Sequence, residues 1–174
     1  VGAALGVELT RVLEMAGTGV TALFIGGLLP SAHVAAYGRF FDPWGFVGNA
    51  RLLKFLNSLG LSAEGIGERE KQMMMKAFRH DVRAYYRYFA WFTGKGGRKL
   101  SAPVYTVLGE TDRLTRHNEK GRKRRGWADI SKAPAAVGKL AGANHYFTKT
   151  HANELADFLT QSLGLKAQDP VVRS

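Results

Sequence analysis

Residues 103–112 read Pro-Val-Tyr-Thr-Val-Leu-Gly-Glu-Thr-Asp, and no other stretch constrains the fold as tightly. Val104, Tyr105, Thr106, Val107 and Leu108 form an unbroken β-branched, aromatic and apolar run between Pro103 and Gly109. Such a run predicts a buried strand that ends in a turn. The turn brings Asp112 just past the strand's carboxyl end, where open α/β sheets collect their functional groups. His145 follows 33 residues later, after a second short run that is apolar but for Lys139 (residues 137–141) and Gly142, in Ala143-Asn144-His145-Tyr146-Phe147. An acid and then a histidine, each on a loop after a strand, suit a general base and its orienting carboxylate. That chemistry also needs a nucleophile, placed earlier in the chain.

Residues 1–16 predict a first helix. Leu5, Leu9, Val12, Leu13 and Ala16 recur at i, i+4, i+7, i+8 and i+11 as an apolar face. Glu8, Arg11 and Glu14 lie three apart on the other side and can pair along it. Gly17 supplies the stop. Residues 20–25 are apolar but for Thr21, as a buried parallel strand is, and Gly26, Gly27 and Pro30 break the run. From residue 35 to 99 the pattern is helical and aromatic, with no strand signal. Leu52, Leu53, Leu56 and Leu59 mark a short helix. Met75, Phe78, Val82, Tyr85, Tyr86 and Phe89 mark a long one. Helices inserted between two strands predict a lid over a site, its aromatics serving either as core packing or as the wall of a pocket. A last helix is expected from about His151 to Leu163, with Leu155, Phe158, Leu159 and Leu163 buried. Residues 165–174 read as a tail, because Pro170 precludes regular helix. No repeat or boundary divides residues 1–174, which are expected to form a single domain.

Val1-Gly2-Ala3-Ala4-Leu5-Gly6 fits the exit from a nucleophile elbow, Gly-x-Ser-x-Gly, with the serine directly before Val1 and Gly2 as the closing glycine. With residues 21–32, 78–88 and 100–112, the Gly126-Trp127 pair and residues 141–147, this resembles the α/β-hydrolase thioesterases of polyketide and non-ribosomal peptide synthesis. The free-standing type II enzymes are the nearest in pattern. The resemblance covers most of the chain and departs from the family at two points. The serine is absent, and the family's Gly-Gly-His-Phe-Phe stands here as Ala-Asn-His-Tyr-Phe. It implies an α/β-hydrolase fold seen as its carboxyl-terminal two-thirds, with residues 35–99 as the helical lid and roughly 80–100 residues of α/β structure ahead of Val1. It also implies a Ser-His-Asp triad in which Asp112 orients His145 and the Val1 backbone N–H donates to the oxyanion. Some relatives carry the acid on the turn after the first strand here, but Gly26-Gly27-Leu28-Leu29 offers none.

Other chemistries find little support. The 174 residues include no cysteine, which removes disulfides, thiolate metal sites and a cysteine nucleophile. No His, Asp and Glu grouping has metal spacing, and Gly94-Lys95-Gly96-Gly97 is too short for a phosphate loop and precedes a strand. His33, His80, His117 and His151 lack strand-end contexts, and nothing fixes the separation of Asp42 and Asp81. No apolar stretch approaches the roughly 20 residues that span a bilayer. With no signal-peptide pattern at Val1, the expectation is a cytoplasmic protein.

The net charge is +11, and it is localised. Residues 68–99 carry nine Lys or Arg against three acids, and residues 113–125 carry seven against one. The second group is Arg113, Arg116, Lys120, Arg122, Lys123, Arg124 and Arg125. A basic patch serves nucleic acid, an acidic protein or solvent alone. Without a nucleic-acid-binding motif, the family's acidic acyl or peptidyl carrier proteins are the expected partner, steered to the site by charge.

Individual residues keep two readings. His145 is a base or a packed histidine between aromatics, and Asp112 is an orienting carboxylate, a helix cap, or both. Three functions follow. The first is hydrolysis of acyl or aminoacyl thioesters on carrier-protein phosphopantetheine, with no resident cofactor. The second is a releasing or cyclising thioesterase domain of a larger synthase. The third is a non-enzymatic basic interaction module on a hydrolase scaffold.

Overall fold

A computed structural model describes residues 2–28, 45–61, 64–94, 97–115, 127, 129–133 and 135–165. In it the run after Pro103 becomes the middle strand of a parallel sheet. The elements in order are α1 (Gly2–Met15), β1 (Leu23–Gly26), α2 (Asn49–Ser58), α3 (Glu68–Gly94), β2 (Val104–Gly109), β3 (Ala135–Leu140), α4 (Phe147–Thr150) and α5 (Ala152–Ser162). The described sheet has the order β1-β2-β3, with Leu23 opposite Val104 and Val104 opposite Ala135. Parallel neighbours cannot be joined by a tight hairpin, so long crossovers separate them. The ladder runs past the named strands: Leu100 pairs with Ser131 upstream, and the Gly27 N–H donates to the Val107 carbonyl at 2.8 Å downstream. Phe24 and Tyr105 are in register and stack at 5.1 Å, a cross-strand pair that favours this alignment.

The 27 residues of α3 serve two neighbourhoods. Its first half packs Met75 against Leu52 and Leu56 of α2, with Phe78 beside them, in a small apolar cluster of its own. Arg79 reinforces that pair by donating to the Val47 carbonyl at 2.7 Å and to Asn49 Oδ1 at 2.9 Å. The second half enters the main core, where Tyr85, Phe89 and Phe92 meet Val7, Ile25, Leu100, Val104, Trp127 and Ile130. Each fully buried aromatic or aliphatic side chain there contributes about 1.5–3 kcal/mol. Tyr85 and Phe89 are therefore core residues, and among the described residues of the insertion α2 and the start of α3 form the part with a cluster of its own.

Among the described residues much of the apolar stripe of α1 has no partner: Leu5 is 65% and Leu9 61% exposed, Val12, Met15 and Ala16 are exposed with them, and Leu13 is half-buried. The buried positions are Ala4, Val7 and Thr10, small enough to set the helix close to the sheet. Gly6 fits the same contact, since a Cβ there would lie 3.2 Å from Leu23 Cδ1. The acids turn toward the protein because partners wait for them. Glu14 accepts from the Ser101 and Ala102 N–H groups at 2.8–2.9 Å. Glu8 is held by Arg11 at 3.0 Å, the pairing expected from the spacing, and by the Tyr88 hydroxyl at 3.0 Å. Those bonds, Arg11's foremost, hold the Glu8 carboxyl below its usual range, while burial and then the bond to Glu8 push the Tyr88 phenol up.

On the other flank, α5 lies half-buried, with Leu155 and Phe158 against Val107, Leu140, Ala143 and Phe147. Gly138 admits that contact, because any side chain on it would strike the Phe158 ring. Leu163 stays exposed. No described helix is long and apolar enough to cross a membrane.

Candidate active site

The loops that follow β2 and β3 are stitched together by their own backbones. Gly109 to Asp112 is a tight turn closed by the Asp112 N–H on the Gly109 carbonyl at 3.1 Å. Thr111 gives both its N–H (2.9 Å) and its hydroxyl (2.8 Å) to the Ala143 carbonyl. Glu110 donates its N–H to the Leu140 carbonyl at 3.1 Å and accepts from the Gly142 N–H at 2.8 Å. Gly142 takes the left-handed conformation, φ +67°, that lets the second loop fold back. Gly109 carries no side chain because the carbonyl oxygens of Ala143 and Asn144 occupy that space.

This stitching brings Asp112 and His145 together. Asp112 Oδ2 lies 2.9 Å from His145 Nδ1, and the Asp112 side chain is completely buried while a quarter of the His145 side chain stays exposed. A carboxylate can only accept, so Nδ1 carries the proton, and in the neutral ring Nε2 presents a lone pair. The other carboxylate oxygen, Oδ1, accepts from the Leu114 N–H at 2.9 Å. Asp112 thus meets the imidazole with one oxygen and caps the turn of helix after it with the other. Asn144 shapes the histidine's own turn, its Oδ1 accepting from the Tyr146 N–H at 2.8 Å across His145. The Tyr146 ring stands edge-on to the imidazole at 5.3 Å.

Two further segments reach this point, and neither was identified from sequence. Gly27, at the end of the ladder from β1, lies directly against the imidazole. Gly60, just after α2 with φ +100°, abuts Asn144 and Tyr146, at 3.2 and 3.5 Å from where a Cβ would stand. It also lines a cleft of about 630 Å³ with Leu53, Asn57, Leu61, Glu64, Gly65 and Lys71. The signal for both was a glycine directly after an apolar run, which marks a stop without naming what the stop approaches.

The remaining candidates are dispersed. His80 is exposed, 3.5 Å from Asp81, and His151 Nδ1 lies 2.8 Å from the Thr150 hydroxyl. Val1, His33, Asp42, His117, and residues 116–126 with most of the second basic stretch lie outside the described residues. Among the described residues no group of three His, Asp or Glu could hold a metal.

No family model and no curated protein matches the chain. Solved structures do. The type II thioesterase BorB from the borrelidin biosynthetic cluster is similar at a TM-score of 0.59 and 20% identity, over 92% of this chain and 61% of that one. The RedJ thioesterase of the prodiginine pathway in Streptomyces coelicolor gives 0.62 and 20%, over 92% and 60%. ClbQ, from the colibactin NRPS/PKS pathway, gives 0.57 and 17%, over 93% and 66%. The chain has the α/β-hydrolase fold. It spans about three-fifths of the length of the BorB and RedJ structures.

Proposed function

We propose that the chain is the acid- and base-bearing part of a serine thioesterase, which hydrolyses acyl or aminoacyl thioesters presented by carrier proteins. The observation that carries this reading is the 2.9 Å contact between Asp112 and His145, on loops after adjacent parallel strands. A packed histidine needs no buried carboxylate behind Nδ1, whereas the base of a Ser-His-Asp triad has one. The thioesterase likeness of the fold supports the substrate class.

On this reading the serine stands immediately before Val1. Its hydroxyl gives its proton to His145 Nε2 as the oxygen attacks the thioester carbonyl. Asp112 stabilises the imidazolium so formed and keeps the ring in one tautomer. The Val1 N–H donates to the tetrahedral oxyanion, together with a second donor from polypeptide ahead of it. The imidazolium then protonates the leaving thiolate, which departs on the carrier's phosphopantetheine. The acyl group is left on the serine oxygen. His145 next takes a proton from water as the water oxygen attacks that ester carbonyl. The imidazolium returns the proton to the serine oxygen as the ester bond breaks and the acid departs. The helical insertion acts as a lid, since Gly60 brings the cleft beside α2 onto the histidine's loop.

Full-length protein is expected to release free acid from an acyl carrier protein and from a small soluble thioester. Reversing Arg122, Lys123, Arg124 and Arg125 to Glu should slow the first reaction and spare the second, because steering acts on encounter. Added salt should mimic the defect, since exposed charges are screened beyond roughly 8–10 Å near physiological ionic strength. Failure to hydrolyse either thioester overturns the thioesterase reading. Equal loss on both substrates in the reversed variant overturns the docking reading alone.

A further inference from the structure

We infer that Gly27 is a positioning residue for His145, the wall that holds the imidazole on Asp112. The inference rests on the reading of His145 as the base. Gly27 is tied to the sheet, its N–H donating to the Val107 carbonyl at 2.8 Å as the last rung of the β1–β2 ladder. It takes φ +66°, a conformation that glycine adopts without a steric penalty. A Cβ built there would stand 2.9 Å from His145 Cε1, 3.0 Å from Nδ1 and 3.7 Å from Nε2. The first two are tighter than ordinary contact, and one of them is to Nδ1, the nitrogen that meets the carboxylate. The ring therefore occupies the space that any side chain at position 27 would need, packed over the glycine. With the Asp112 contact at Nδ1 and the Tyr146 ring edge-on, three different segments of the chain confine the imidazole. Beneath them Gly26 rests on Phe147, where a Cβ would lie 3.1 Å from the ring's Cζ, so the wall has a buried footing.

Confinement matters because a displacement of about 1 Å at a reacting group can cost on the order of 10²-fold in rate. A methyl group on Gly27 would force the ring away from Asp112 or tilt it. Either shift weakens the Nδ1–H bond and misdirects Nε2.

The test separates backbone conformation from crowding. Gly27→Ala brings both penalties, whereas Asn tolerates positive φ far better while still carrying a Cβ. Both variants of the full-length protein are assayed for thioester hydrolysis, with circular dichroism to confirm folding. The downfield proton resonance of the His145 Nδ1–H is recorded alongside. Expected for both is a loss of about 10²-fold in kcat with KM little changed, together with a shift or loss of that resonance. A normal resonance and normal turnover in Gly27→Asn would overturn the inference. Unfolding of both variants would also overturn it, by showing that the fold itself needs this glycine. His145→Ala is the control: if it retains hydrolysis, the base reading fails, while the resonance in the Gly27 variants still decides whether the wall positions the ring.

Discussion

Asp112→Asn and His145→Ala are each expected to lower thioester hydrolysis by about 10⁴-fold, by the logic of other triads, while the protein stays folded. The two substitutions act on different steps. Removing the imidazole removes the proton acceptor. Asp112→Asn keeps a group of the same size whose carbonyl oxygen can still accept the Leu114 N–H that Asp112 accepts at 2.9 Å. The new amide nitrogen would instead donate toward Nδ1, which moves the imidazole proton to Nε2 and leaves nothing to take the serine proton. Asp112→Ala is the less informative variant, because it also deletes the cap, at about 1 kcal/mol. The measurement is kcat/KM for a soluble thioester beside a thermal melt. Near-normal turnover in either variant would remove that residue from the mechanism.

Gly109→Ala is expected to lower turnover too, although Gly109 carries no functional group. The space for a Cβ is taken by the carbonyl oxygens of Ala143 and Asn144, the latter adjoining His145. Backbone atoms cannot swing aside as a side chain can, so the two loops must part. Overpacking of this kind costs about 1–3 kcal/mol. Parting the loops also lengthens the Asp112–His145 contact, so turnover should fall by about 10²-fold or more. Denaturant unfolding and kcat/KM on the same preparation check both effects. Wild-type values in both would mean that the loops are not held as the structure has them.

What could be read from the sequence divides along physical lines. β2 was legible because a run buried on both faces has no competing pattern, and the turn after it could only deliver Asp112 to the sheet's carboxyl edge. The pairing of Asp112 with His145 followed from topology, since neighbouring parallel strands put their following loops side by side. The facing of α1 was not legible. Periodicity locates an apolar stripe but does not say which side meets the sheet. Here the small residues Ala4, Gly6 and Val7 meet the sheet, with Glu8 and Glu14 at the margin of that contact finding partners there. The double role of α3 was hidden too, because Met75 and Phe89 share one stripe yet serve separate clusters. Gly27 and Gly60 registered only as chain breaks. Their approach to the histidine's loop is a distance in space, to which sequence spacing is blind.

The central claim, that Asp112 and His145 serve a serine directly before Val1, is tested most directly by labelling full-length protein with a fluorophosphonate, followed by peptide mapping. The account predicts one adduct, on a serine immediately ahead of Val1-Gly2-Ala3, lost in the His145→Ala variant. An adduct elsewhere in the chain, or none on active protein, would contradict it.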